Sequence, residues 1–409
     1  KNYYTYLITL MLAAESIYIL PYVLARVFRP TFLDVFNLTN FELGGLFSIY
    51  GVVAFFSYLY GGVLADRYSP RKLLSISLIF TSLGGLIMMT YPSYLIMQLL
   101  FAYWGFTTVF IFWAPMLKAT RAIGGVKMQG KTFSFLDGGR GVVASSIGLI
   151  GVLIFSILIT EDVSSLTLSE KQEVFKYVIG ASSLIVFIIG IVVYTYLKIE
   201  LKDDEKIGNI KSLLELAKLK SVWLISFIIL CAYMGYKITD VYSLYASEVM
   251  KFDEIDAARV GALQQYLRPI VCVSVAFFTD KNGNINNILI GFLVMMLGSI
   301  LFASGLIKVS MNILFIISLI IVATGTYAIR GLYFSILKDG KIPYILSGTA
   351  IGLISIVGYS PDIFATPLYG YLLDNFPGIR GHQYVYLILF ISSIVGIYVS
   401  LKFKKINNL

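Results

Sequence analysis

Eight ionisable residues stand inside long apolar stretches of this sequence: Glu15, Asp137, Arg140, Lys237, Asp240, Arg268, Arg330 and Asp362. At bilayer depth such a group costs about 2.5–3.5 kcal/mol on insertion scales, so each is a functional candidate until a partner accounts for it. Asp137 with Arg140, and Lys237 with Asp240, are three residues apart and share a helix face. They read either as neutralised pairs that make burial tolerable or as carboxylates that release a cation to substrate when protonated. Arg268 and Arg330 have no acid within one turn. A guanidinium forks onto a carboxylate or phosphate through two parallel hydrogen bonds, so an anion is its natural partner. The alternative is that Glu15 and Asp362 match these arginines across helices. Those two carboxyls lack local partners, and burial favours the neutral form of such a group. With Asp240 they are the proton-coupling candidates. Four positive and four negative groups cancel, so a zwitterion such as an amino acid fits the balance as well as an anion carried with protons.

Tyr103, Tyr233, Tyr236, Tyr266 and Tyr327, with Gln264 and Gln265, could add hydrogen bonds to a bound molecule, although such aromatics more often pack or anchor. Together the expected substrate contacts are Arg140, Arg268, Arg330, Lys237, Tyr266, Tyr327 and Gln264. Pro269 follows Arg268 and Pro361 precedes Asp362, where each can bend its helix. The sequence shows no phosphate-binding Gly-rich loop, metal-ligand spacing or nucleophile elbow, so neither an enzyme nor a nucleotide-driven pump is expected. No cofactor or metal is expected. His382 is the sole histidine and falls before the last apolar run, in a loop, which excludes histidine coupling.

The elements that must position these groups follow from hydropathy. Of 409 residues, 58% are hydrophobic and 13% charged, about half the charge of a soluble domain. A chain this apolar must be solvated by lipid. Apolar runs fall at about 3–26, 42–64, 73–95, 96–118, 132–159 and 174–198, then at 221–248, 257–279, 284–306, 311–337, 344–372 and 384–403. The expectation is an all-α polytopic membrane protein of twelve transmembrane helices. It divides into an N-terminal bundle 1–198, a charged linker 199–220 ending in an amphipathic helix, and a C-terminal bundle 221–409. Most Lys and Arg residues, including Arg67, Arg71, Lys72, Lys118 and the linker lysines, fall on one side. Arg29, Lys171, Lys251, Lys308 and Arg380 fall on the other. That bias places both termini in the cytoplasm. The net charge of +9 is spent on topology rather than on nucleic acid. Cys231 and Cys272 lie inside apolar runs, away from disulfide chemistry. A start at Lys1 suggests trimming, and the first run is too long for a signal peptide. Gly105 to Lys118 and Gly325 to Lys338 share Gly, Leu and Lys at equal spacing, an internal repeat consistent with two sixes.

Between the second and third runs stands Gly61-Gly-Val-Leu-Ala-Asp66-Arg67-Tyr-Ser-Pro-Arg71-Lys72, which resembles the signature loop of the major facilitator superfamily, with Pro70 where that family usually has Gly. Gly61 permits close helix contact, and Asp66, Arg67 and Arg71 would form a conformational latch. A degenerate second copy stands at Asp280-Lys281. The resemblance implies two six-helix bundles around a central cavity, lined by segments one, four, seven and ten with parts of two, five, eight and eleven, into which Arg140, Lys237, Arg268 and Arg330 would point. The glycine-rich run 131–141 looks like that of anion-carrier branches. The implied activity is secondary transport of a small organic or inorganic anion by a monomer, by alternating access and with a proton as one candidate co-substrate. A zwitterion carrier, an exporter of hydrophobic compounds and a membrane sensor that no longer transports are the alternatives.

Overall fold

The computed structural model describes residues 2–159, 166–199, 210–282, 284–342 and 347–409. All regular structure among them is helical. Ten helices are long and apolar enough to cross a membrane, from Asn40–Tyr58 to Ile379–Asn407, and Tyr3–Ser16 with Ile19–Val27, bent by 43°, makes an eleventh span. The remaining expected span is split: Glu254–Leu263 runs through a 3-10 turn at Gln264–Tyr266 into Leu267–Asn282. Pro269 stands in the first turn after that break, where a missing N–H costs least. The fourth and fifth spans are joined by unbroken helical residues, Trp113–Leu158, rather than by a loop. They still run in opposite directions. Gly105 and Phe110 pack on Tyr50 and Gly61 of the second span, whereas Gly139 and Gly151 climb along Met11 and Phe28 of the first. Of the amphipathic helix expected in the linker, Ile210–Ala217 is helical, and residues 200–209 lie outside the described residues.

Among the described residues two large apolar cores form, one from the first six spans with Ala258 and Ala262, the other from Leu216 to Phe403, with a small third cluster around Tyr236 and Tyr327. Small residues let the two sets meet. A methyl group on Gly370 would lie 2.2 Å from the Asn40 carbonyl oxygen, and one on Gly44 would lie 2.5 Å from that of Thr366. The second and eleventh spans therefore pack backbone to backbone, the close approach that membrane helices gain from small residues. The fifth and eighth spans do likewise, with Gly141 against Gln265 and Arg268.

One group of hydrogen bonds between the two sets lies at one end of the bundle. There the Asp374 carboxylate accepts from the Asn40 and Phe41 backbone N–H groups at 2.9 and 2.6 Å. These are the first residues of Asn40–Arg67, so an acid from the other set satisfies the free donors and positive pole of that helix terminus. Thr31 donates to Glu254 at 2.7 Å, and Lys171 joins Glu254 to Asp34.

Candidate functional site

The helices around the centre are interrupted where they approach it. The first span passes through a π-turn at Ile19–Val23 that contains Pro21, and the fourth through another at Phe106–Phe110. The seventh breaks into a 3-10 turn at Thr239–Val241. The tenth gives way to one at Ser335–Leu337, and the eleventh restarts at Pro361 after Gly358. Such turns re-aim side chains and free backbone groups from the regular ladder.

Between them lies a cavity of about 50 Å³. Its charged lining is Glu15, Arg26, Arg140, Lys237, Arg330 and Asp362, and its aromatic lining includes Tyr18, Tyr22, Tyr50, Tyr58, Trp113, Tyr233, Tyr236 and Tyr359. The charges form one network. Arg140 Nε donates to Glu15 at 2.9 Å, and Glu15 is also 3.6 Å from Arg268. Arg268 forks onto Asp137 through Nε, at 3.2 Å, and through Nη2. Lys237 lies 2.8 Å from Asp240 and 3.2 Å from Asp362, whose carboxylate also accepts from the Tyr233 hydroxyl at 3.1 Å. Arg26 Nε donates to Asp240 at 2.6 Å.

The expected local pairs are thus only part of the arrangement. Lys237 and Asp240 do pair, but Asp137 is 3.9 Å from Arg140 and gives its fork to Arg268. Glu15 and Asp362, which lack local partners, find them on other helices: Glu15 meets Arg268, as the cross-helix alternative has it, whereas Asp362 meets Lys237 and not Arg330. Arg268 is fully buried beside the cavity rather than lining it. Tyr327 and Gln264 bond each other at 2.7 Å away from the lining, Tyr266 faces Ser146 at 3.2 Å, and Tyr103 donates to the Phe80 carbonyl. Gly61 packs on the Phe110 backbone and Arg71 lies over the Tyr194 ring at 4.4 Å. The side chains of Asp66, Arg67, Asp280 and Lys281 lie outside the described residues.

Three buried groups escaped the sequence. Arg26 closes the first apolar run and reads there as a boundary. Arg29, expected in a loop, is 3% exposed and donates to Asn40 Oδ1 at 3.0 Å and the Asp240 carbonyl. His382, also expected in a loop, is fully buried in Ile379–Asn407, with Nε2 3.0 Å from Glu248. The last helix simply begins earlier than its apolar run.

Among the described residues, Arg330 is the cation of this network with no acid closer than 3.8 Å. Arg330 stacks on the Tyr236 ring at 4.0 Å, and its nearest acid is Asp137 at 3.8 Å, already held by Arg268. Its Nε and Nη1 are buried without a hydrogen-bond partner among the described residues, in a side chain only 8% exposed. Five cations, Arg26, Arg140, Lys237, Arg268 and Arg330, meet four carboxylates, Glu15, Asp137, Asp240 and Asp362, in this network.

A bundle of lipid-length helices around a charged central cavity defines a polytopic carrier. The model of the Major Facilitator Superfamily matches residues 6–360, and the chain belongs to that family, a family of transporters rather than enzymes. It is similar to Inner membrane protein YqcE of Escherichia coli strain K12, 24% identical over 395 residues covering 94% of this chain and 91% of that one. Among solved structures it superposes on a bacterial homologue of the human lysosomal transporter Spinster, inward-facing and occupied. That match has TM-score 0.74 and 15% identity and covers 100% of this chain and 97% of that one. It also superposes on the nucleoside transporter NupG, with TM-score 0.71 and 15% identity, covering 99% and 100%. These likenesses establish the major facilitator fold. With the apolar spans, they make the chain a multi-pass protein of the cell membrane.

Proposed function

We propose that this chain is a secondary transporter of a small anion, which binds in the central cavity at Arg330 with help from Arg140 and Lys237, and crosses by alternating access. The observation that carries this reading is the under-satisfied Arg330, whose one acid contact is long and shared and whose Nε and Nη1 lack hydrogen bonds among the described residues. A buried charge so poorly matched is costly, and a visiting oxyanion supplies the acceptors it lacks. The added Arg26 tips the balance of four against four towards the cations. Asp362 lines the same cavity, with its oxygens on Lys237 and Tyr233, and is the candidate to carry a coupled proton.

The positive bias of the loops supports cytoplasmic termini. On that orientation the end sealed by Asp374, Asn40 and Glu254 faces outward, which corresponds to an inward-facing state. The fold's likeness to an inward-facing structure agrees with it.

The test is a melting-temperature panel on the purified chain with carboxylates, phosphates, amino acids and nucleosides, repeated on Arg330→Gln. A ligand that binds the native state raises the apparent stability by mass action. Anions should stabilise the wild type and lose that effect in the variant. Stabilisation by a neutral or zwitterionic compound alone, or anion binding that survives Arg330→Gln, would overturn the assignment.

A further inference from the structure

We propose that the cargo is an anion built on a hydroxylated ring, of the sugar-acid class, with its oxyanion on Arg330 and its ring face against Tyr233, Tyr359, Tyr58 and Trp113. This rests on the anion reading above and narrows it. The aromatic groups form a continuous strip leading away from the Arg330 guanidinium. Arg330 lies on Tyr236, whose ring stacks with Tyr233 at 5.5 Å. Tyr233 meets Tyr359 edge-on at 4.9 Å, and Tyr359 in turn meets Trp113 at 6.0 Å and Tyr58 at 6.2 Å. The hydroxyls of Tyr233 and Tyr359 are engaged by Asp362 and by Tyr333 at 3.0 Å, so the strip offers ring faces rather than polar tips. A flat apolar face is what such rings receive.

The carboxylates decide between kinds of ring. Glu15 and Asp362 line the cavity beside the cations, and their oxygens can accept further hydrogen bonds. An arene acid would bring them no donor, and an acyclic diacid would bring them repulsion. Hydroxyls along a sugar edge donate to both. Tyr22, whose buried hydroxyl has no partner among the described residues, lines the same space. A sugar acid presents charge, apolar face and donors together. Lactate lacks the face, benzoate the donors and glucose the charge.

The experiment measures melting temperature and tryptophan emission of the full chain in lipid nanodiscs against glucuronate, galacturonate, glucose, lactate and benzoate. At least one hexuronate should bind, and the other three should bind at least tenfold more weakly. Trp113→Leu and Tyr359→Leu should each weaken hexuronate binding at least tenfold, whereas Tyr359→Phe, which keeps the ring, should retain most of it. Silence of both hexuronates overturns the proposal. Lactate or benzoate binding as tightly, with loss in Arg330→Gln, overturns the ring class and leaves the anion reading standing. Glucose binding equally well to wild type and Arg330→Gln overturns both.

Discussion

Fully buried and held between Glu15 and Asp137, Arg268 does its work on other side chains of the protein. Its guanidinium occupies the fork that Asp137 could otherwise offer Arg330, and so leaves Arg330 at 3.8 Å from that acid. Arg268→Gln therefore removes the forked partner of Asp137 and leaves that carboxylate only the longer contacts to Arg330 and Arg140. Removing one member of a buried pair costs about 3–5 kcal/mol, while removing both is far milder. The expected result is a large fall in the unfolding midpoint in detergent for Arg268→Gln, recovered in good part by adding Asp137→Asn. A substrate-binding role alone would leave stability nearly unchanged in the single variant. Arg330→Gln has the opposite signature. It removes a cation with two unsatisfied nitrogens, so stability should hold or rise while ligand response disappears.

At the scale of elements, the contact between the second and eleventh spans is the tightest described. A side chain at Gly370 meets main-chain atoms of Asn40 and Phe41, which cannot move aside as a side chain would. Gly370→Ala should cost about 1–3 kcal/mol by overpacking. Gly352→Ala, in open space on the same chain segment, should be neutral or slightly stabilising in the helix Ser347–Gly358. Unfolding midpoints of the two variants check the pair. The spans themselves were legible because hydropathy acts over some twenty residues and tolerates errors at the ends. The network was not, because spacing along one helix reports only i, i+3 and i, i+4 neighbours. Arg268 finds Asp137, and Glu15 finds Arg140, across more than a hundred residues of sequence. Arg29 and His382 were misplaced for a related reason. A polar residue beside an apolar run looks like loop until the partner that buries it is known, here Asn40 and Glu248.

For the molecule as a whole, the seal at the Asp374 end has to open if the cavity is to face both sides in turn. Asp374 binds the start of Asn40–Arg67 through two backbone donors and also accepts from Asn40 Nδ2 at 3.0 Å. Hydrogen bonds to a charged group contribute about 1.5–3 kcal/mol each, and these exist only while that end is shut. Asp374→Asn keeps one acceptor but loses the second and the charge that answers the helix pole. The closed population should fall by about tenfold or more relative to the state open at that end, since ~1.4 kcal/mol is a factor of ten. Ser48, whose hydroxyl donates to the Ile363 carbonyl across the same contact, is a suitable reporter, because the two native cysteines are buried. A Ser48→Cys protein should react slowly with an aqueous maleimide and markedly faster once Asp374→Asn is added. Equal rates in the two would show that the carboxylate caps a helix without holding the halves together, and the seal would then rest on Glu254, Lys171 and Thr31.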